Sequence, residues 1–537
     1  MSDSFNEEYR FGSAGWADDA DIRSAGLLAH EGPQIGFSNS RSVHVPGDAP
    51  LITIGGAGAG KTRDLLGFFV CSSPGQRAMI LDPRGELGAI SHHVHAAYGD
   101  FMFTWSPIGF GGSPGDRCNP LDILDPRSPN FHADTAFVGE GLIPLSGSSN
   151  GHYFELRARE WVTNILKSRV EQNGGTSLPD LYRTINSVES DRHAWADQLE
   201  AMLKSAHESV RRTAAEMLTK QQDTPKEFGS ILGEIYAHLN FLDDPVLLAS
   251  LENADFSLSA LTDARQPAKV FLNVPAEYLG IWSPLIRLFF TVTMLYKARA
   301  PQAPRVLLLV DEAGQLGRFE ALLRAFTFGR GAGIRAWAIF QDVGQIVRNF
   351  GAPALQSFLG SAQTRQFFGV RDYQTAQLIS EMLGSETLEF DDTLQQAEAR
   401  KRKQDTLRAV IGGRDPFEAA REYAHYTYKA DHKAKQARPL MSPDEILAMP
   451  EDRQIVFISG MNLKPLYLAK HPYFTRREMA GRYLPNPYHP PVDRVRIAGR
   501  LGARWVPVIT EAVPRRFMSF PQFSSGHWSY PKGYRPD

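Results

Sequence analysis

The sequence predicts an α/β fold, a central and mainly parallel sheet interrupted by an all-helical segment. Three observations carry that expectation: a strand, glycine loop and helix in succession at 51–70, a five-residue apolar strand ending in two acids at 306–312, and a helix-patterned stretch at 131–251 between them. Length agrees, because 537 residues exceed what one core organises.

The composition, 42% hydrophobic and 22% charged, is that of a folded protein. No run reaches the roughly 18 apolar residues needed to cross a bilayer. The polar, acidic opening MSDSFNEEYRFG is neither a secretory signal nor an anchor. Cys71 and Cys118 fit no metal spacing and no disulfide framework, which suits a reducing cytosol. A net charge of −2 excludes a globally basic nucleic-acid binder, but not a protein that gathers its basic groups in a channel.

Residues 1–48 are rich in Gly, Ser and Pro without periodicity, and are expected to form a flexible lead-in. The parallel-sheet domain is expected at 49–130 and 262–485, with strands near 51–54, 78–81, 270–274, 306–310, 336–340, 365–370 and 454–458 and helices between them. At 131–261, charged and apolar residues interleave at helical spacing (FELRAREWVTNILKSR, AWADQLEAMLKSA), which predicts an all-α insertion. Beyond 486 the chain turns basic and aromatic. Arg494, Arg496, Arg500, Arg504, Arg515 and Arg516 stand among Trp505, Phe517, Phe520 and Trp528, a pattern compatible with single-stranded DNA or a protein partner and read as an adaptor tail.

The sharpest motif is Gly55-Gly56-Ala57-Gly58-Ala59-Gly60-Lys61-Thr62, a P-loop placed between a strand and a helix. Its glycines let backbone N–H groups turn around a polyphosphate, and the helix N-terminus adds its dipole. Lys61 is expected to reach the β- and γ-phosphates of ATP, and Thr62 to hold Mg²⁺. Hydrolysis needs two further groups, one organising the metal and one acting on water. The strand at 306–310 supplies both at its C-terminal end: Asp311 for Mg²⁺ through water, Glu312 for the attacking water. The strand at 336–340 ends in Gln341, which is either a sensor of the γ-phosphate or a solvated strand end.

These residues resemble the type IV coupling proteins of conjugation and type IV secretion. Asp311-Glu312-Ala313-Gly314-Gln315-Leu316-Gly317, then Gly329-Arg330-Gly331-Ala332-Gly333-Ile334-Arg335, then Phe340-Gln341-Asp342 are similar to that family's Walker B block. Asp82-Pro83-Arg84-Gly85-Glu86 resembles its Asp-Pro-Lys-Gly-Glu, Asn119-Pro120-Leu121 its Asn-Pro-Leu, and Phe368-Gly369-Val370 with Arg438-Pro439-Leu440-Met441 its late blocks. The likeness spans about 51–474.

The resemblance implies a RecA-like ATPase domain interrupted by an all-α domain. It further implies a homo-hexamer around a channel for single-stranded DNA, with a relaxase or secreted proteins as cargo and the type IV secretion channel as partner. Two other functions stay open, a nucleotide-gated receptor for protein effectors and a cytosolic DNA pump unrelated to secretion. Members commonly begin with a transmembrane portion that has no counterpart here, so a soluble form is expected, cytoplasmic or peripheral at the cytoplasmic face of the inner membrane. Arg84 stands where the family has lysine, a change that keeps charge but not geometry.

Ring motors of this kind take an arginine from the neighbouring subunit, and Arg330 is the candidate, with Arg335 and Arg365 as substitutes and a plain salt bridge as the competing reading. His92, His93 and His95 invite a metal reading, but they lack companion ligands and are expected on a helix face. The run Arg400-Lys401-Arg402-Lys403 reads as a solvated helix before it reads as a nucleic-acid contact.

Overall fold

Strands covered on both faces are built largely of apolar residues, and four such strands lie side by side at the centre of this protein's main sheet. The computed structural model describes residues 12–109, 115–145, 151–390, 392–411, 415–431, 433–479, 482–484, 486, 494–499, 502–515, 518, 526–533 and 535. In chain order the strands are β1 (Gln34–Ser38), β2 (Arg41–His44), β3 (Leu51–Gly55), β4 (Arg77–Leu81), β5 (Phe101–Trp105), β6 (Ala268–Leu272), β7 (Val306–Val310) and β8 (Ile334–Phe340). They continue as β9 (Thr364–Phe368), β10 (Ser385–Phe390), β11 (Ala434–Pro439), β12 (Arg453–Ile458), β13 (Leu466–Ala469), β14 (Arg494–Gly499), β15 (Gly502–Ala512) and β16 (His527–Pro531).

Eleven of them form one sheet in the order β2-β1-β13-β12-β9-β3-β8-β7-β4-β6-β5. The seven from β9 to β5 run parallel. β3, β4, β7 and β8 are buried along their whole length, as doubly covered strands must be. The expected strand at 454–458 is present as β12, but it pairs antiparallel with β9.

The lead-in expectation is corrected for residues 12–48. Asp18 caps the helix Asp19–Ser24 by accepting from the Ala20 and Asp21 amides, and the β1–β2 hairpin joins the sheet edge through β13. Ile35, Val43 and Val45 are buried there with Val456, Leu466 and Leu468, so apolar contact fixes the segment. Residues 1–11 lie outside the described residues.

Between β5 and β6 the chain is helical, from Phe131–Leu142 through His152–Asn173 to Pro245–Ser250. Ser177, Asp191 and Asp244 each accept from backbone amides of the helix they start. Trp161, Ile165 and Ile231 continue into the same core as Leu288 and Phe289 of the helix Ser283–Arg299, which packs under the sheet. The basic run 400–403 lies on the helix Thr393–Ile411, paired with Pro416–Asp431.

The basic and aromatic tail, read in the sequence as an adaptor segment, contains a three-stranded antiparallel sheet, β14-β15-β16. Val513 and Trp528 bury against Leu484 and Ala96, which seats this sheet on the helix Glu86–Tyr98. Arg500, Arg516, Phe517 and Phe520 lie outside the described residues.

One buried ion pair deserves a test. Lys269, fully buried in β6, donates to Asp100 Oδ2 at 2.8 Å and to the Gln76 carbonyl at 2.8 Å. His95 joins Asp100 Oδ2 at 3.1 Å and the Val70 carbonyl at 2.7 Å, which makes it part of this network. His92 and His93 are buried on the same helix. Removing one partner strands the other charge in the core, so Asp100→Ala is expected to cost about 3–5 kcal/mol. The denaturant midpoint measures this, and an unchanged midpoint would contradict it.

Candidate nucleotide site

The P-loop is shaped by close backbone approach. A side-chain carbon at Gly56 would sit 2.2 Å from the Gly369 carbonyl, so only glycine lets the loop pass. Gly60, at φ 85°, turns the chain left-handed into the helix that starts at Lys61 and continues as Gly67–Ser72. The loop is braced from below by Lys470, which donates to the Ala59 carbonyl at 2.7 Å, lies 3.5 Å from Asp64 and stands 4.1 Å from the Phe368 ring centre.

β8 inserts between the P-loop strand β3 and the acidic strand β7, and Ile54 pairs with Phe340 while Val310 pairs with Ala338. The C-terminal ends of the three strands are therefore level. Lys61, Asp311, Glu312 and Gln341 converge at that edge. Lys61 Nζ donates to the Gly55 carbonyl at 3.3 Å and pairs with Glu312 Oε1 at 3.0 Å. Gln341 Nε2 donates to Glu312 Oε2 at 2.8 Å. The two readings of Gln341 are thereby narrowed: its amide holds the Glu312 carboxylate. Glu312 adopts φ 55°, a left-handed conformation that a β-carbon disfavours and that clusters at functional sites.

Burial pushes the Asp311 carboxyl up to about 7, with Glu312 adding to the shift and Lys61 opposing it. Asp82, at the end of β4, is likewise raised to about 7 by burial, against a hydrogen bond from the Gly88 amide, with Glu86 and Asp311 adding. A divalent cation relieves such crowding of acids. Mg²⁺ takes one or two carboxylates plus phosphate and water oxygens, and the Thr62 hydroxyl with Asp311 is a donor set of that chemistry. Asp82, Arg84 and Glu86, recognised in the sequence only as a matching block, line this same cleft.

The cleft is about 830 Å³. The P-loop, Asp311, Glu312 and Gln341 form one part of its wall; Tyr473, Phe474, Tyr483, Asn486, Arg494 and Trp505 form another. Of these last six, Arg494 and Trp505 stand out in the sequence, as parts of a basic and aromatic tail and not of a nucleotide site.

The candidate arginines separate. Arg330 is exposed, 69% for its side chain, and its Nε meets Asp48 Oδ1 at 2.8 Å; Arg305 shares Asp48 at 2.7 Å. Arg335 is excluded as a substitute, because it is buried in β8 and its guanidinium donates to the Ala49 and Val45 carbonyls. Arg365 is bonded to the Ser459 hydroxyl.

A P-loop strand, an inserted strand and an acid-tipped strand, all parallel, define a P-loop nucleotide-binding fold of the additional-strand type, RecA-like in architecture. The chain belongs to the family described as type IV secretory system conjugative DNA transfer, whose sequence model matches residues 15–490. It is 25% identical to protein VirD4 of Agrobacterium fabrum over 88% of this chain and 67% of that protein. It is 24% identical to the probable conjugal transfer protein TraG of Sinorhizobium fredii over 81% of this chain and 63% of that one. The chain thus matches about two thirds of the length of these relatives. In fold it is similar to the bacterial conjugative coupling protein TrwBdeltaN70, with a TM-score of 0.59 and 18% identity over 87% of this chain and 96% of that one. It is also similar to TrwB in complex with ADP and Mg²⁺, with a TM-score of 0.57 and 17% identity over 85% and 93%. Among the described residues no helix is long and apolar enough to cross a membrane.

Proposed function

We propose that this chain is an ATP-driven DNA translocase that works as a homo-hexamer and delivers DNA with its relaxase, or protein substrates, to a type IV secretion channel. The observation that carries the reading is the position of Glu312, held between Lys61 and Gln341 at the phosphate end of the cleft. A carboxylate fixed there can orient water toward the γ-phosphate, and Lys61 can move from Glu312 to the incoming phosphates. Asp311 and Thr62 would hold Mg²⁺, which would supply positive charge beside the phosphates. The loop from Gly55 through Gly56, Ala57, Gly58, Ala59 and Gly60 supplies the N–H cradle.

The family supports DNA as substrate, and a ring would place an arginine of one subunit at the site of the next. The place of work is the cytoplasm, or the cytoplasmic face of the inner membrane. ATP turnover by the full chain, measured with and without single- and double-stranded DNA and with electron micrographs of the same samples, is expected to rise several-fold on single-stranded DNA as rings appear. Turnover indifferent to DNA, together with binding of a protein substrate, would replace the pump with a receptor.

A further inference from the structure

The C-terminal sheet extends beyond the matched residues 15–490, yet it reaches the nucleotide cleft. Arg494 of β14 and Trp505 of β15 both line that cleft, although they lie more than 400 residues beyond the P-loop. In the hairpin register Arg494 faces Pro507 and Arg496 faces Trp505. Residues 494, 505 and 507 therefore share one face of the ribbon.

The sheet is held in place independently of that face. Trp528 and Val513 bury against Leu484 and Ala96, the Leu484 amide donates to the Ile90 carbonyl at 2.9 Å, and Asn486 Nδ2 donates to Glu86 Oε2 at 2.9 Å. Trp505 itself is 63% exposed, so it is a large aromatic surface that its own fold leaves uncovered.

The phosphate end of the cleft is spoken for by Lys61, Thr62 and the acids. Asp82, Glu86 and Asp311 add acids to that end, with Arg84 paired to Glu86 at 3.4 Å. The nucleoside half of a bound nucleotide is left with the aromatic wall. We propose that the C-terminal sheet is a wall of the nucleotide site acting in cis: the Trp505 indole stacks on the base, and the Arg494 guanidinium lies against the nucleotide's anionic oxygens. This rests on the reading of the cleft as an ATP site and extends it to residues outside the family's matched region. Every base offers a π-face, so stacking on Trp505 favours nucleotides over bare polyphosphate without choosing strongly among bases.

The test compares Mg-ATP with inorganic tripolyphosphate, both binding to the full chain by calorimetry. Trp505→Ala is expected to weaken Mg-ATP roughly 10-fold while tripolyphosphate is unchanged, the loss expected of one base stack. Trp505→Phe should restore most of the affinity. Arg494→Ala should weaken both probes. Equal affinities for Mg-ATP in wild type and Trp505→Ala, or equal losses of both probes in Trp505→Ala, overturn the proposal. Lys61→Ala, measured alongside, separates the two readings: if it loses both probes while Trp505→Ala loses neither, the ATP site stands and the role of the C-terminal sheet falls. An unshifted melting temperature for Trp505→Ala confirms that the Trp528 anchor still holds the sheet.

Discussion

Replacing Glu312 with glutamine is expected to reduce ATP turnover by about 10²–10⁴-fold, the span of a general base or water-orienting carboxylate, while ATP still binds. Glu312 Oε1 meets Lys61 and Oε2 accepts from Gln341; when Lys61 turns to the phosphates, Gln341 still holds the carboxylate in place for a water. An amide keeps that shape but loses the charge. It also places an N–H₂ group beside either Lys61 or the Gln341 amide, so one of the two contacts becomes donor against donor. Lys61→Ala should be equally inactive for a different reason, because it removes the cation that meets the phosphates and weakens binding itself. Lys61 is partly buried, at 10% side-chain exposure, and among the described residues its Nζ meets the Gly55 carbonyl and Glu312, so the fold should survive its loss. Binding of a fluorescent ATP analogue and steady-state phosphate release distinguish the two variants. Wild-type turnover in Glu312→Gln, with Asp311→Asn equally silent, would remove the catalytic assignment of the β7 acids.

These residues were legible in the sequence because their chemistry is local. A P-loop must sit between a strand and a helix, and VLLLV followed by two acids states both a buried central strand and its charged end. What was not legible depends on partners far along the chain. β1 and β2 are short, and QIGFS carries a glycine that weakens a strand signal; they become strands because β13 supplies an edge. The β14–β16 sheet reads as basic and aromatic residues until Trp528 meets Leu484 and Ala96. Lys470 braces the P-loop from 411 residues away, and no periodicity announces a lysine that bonds Ala59. Lys269 in AKVFL and Arg335 in IRAWAIF look like solvated breaks in apolar strands. Both are buried and satisfied by carbonyls or by Asp100, which is how a sheet interior tolerates a cation. Arg335 therefore fails as an interface arginine for a reason that only its neighbours reveal.

Arg330→Ala is expected to lower turnover in the assembled ring by about 10³-fold without weakening nucleotide binding to the isolated subunit, as removal of an arginine finger does. The arginine stands after the helix Glu320–Phe328 on an exposed turn between Gly329 and Gly331. Its ion pair with Asp48 is a surface contact of the kind worth little to stability, about 0–1 kcal/mol. Asp48 also holds Arg305, so Arg330 can leave without stranding a carboxylate. In the proposed ring such a guanidinium would meet the γ-phosphate only where two chains abut, and there it would stabilise charge that develops in the transition state. Mixing reads this directly. Arg330→Ala subunits and Lys61→Ala subunits, each inactive alone, are expected to regain activity together, because some interfaces then join an intact P-loop to an intact arginine. Asp48→Asn, which frees the arginine without removing it, should stay active. If mixed rings form and remain dead, or if Arg330→Ala alone turns over ATP at the wild-type rate, Arg330 is only a surface partner of Asp48. The finger must then be sought elsewhere, first at Arg84, which lines the cleft with 69% of its side chain exposed.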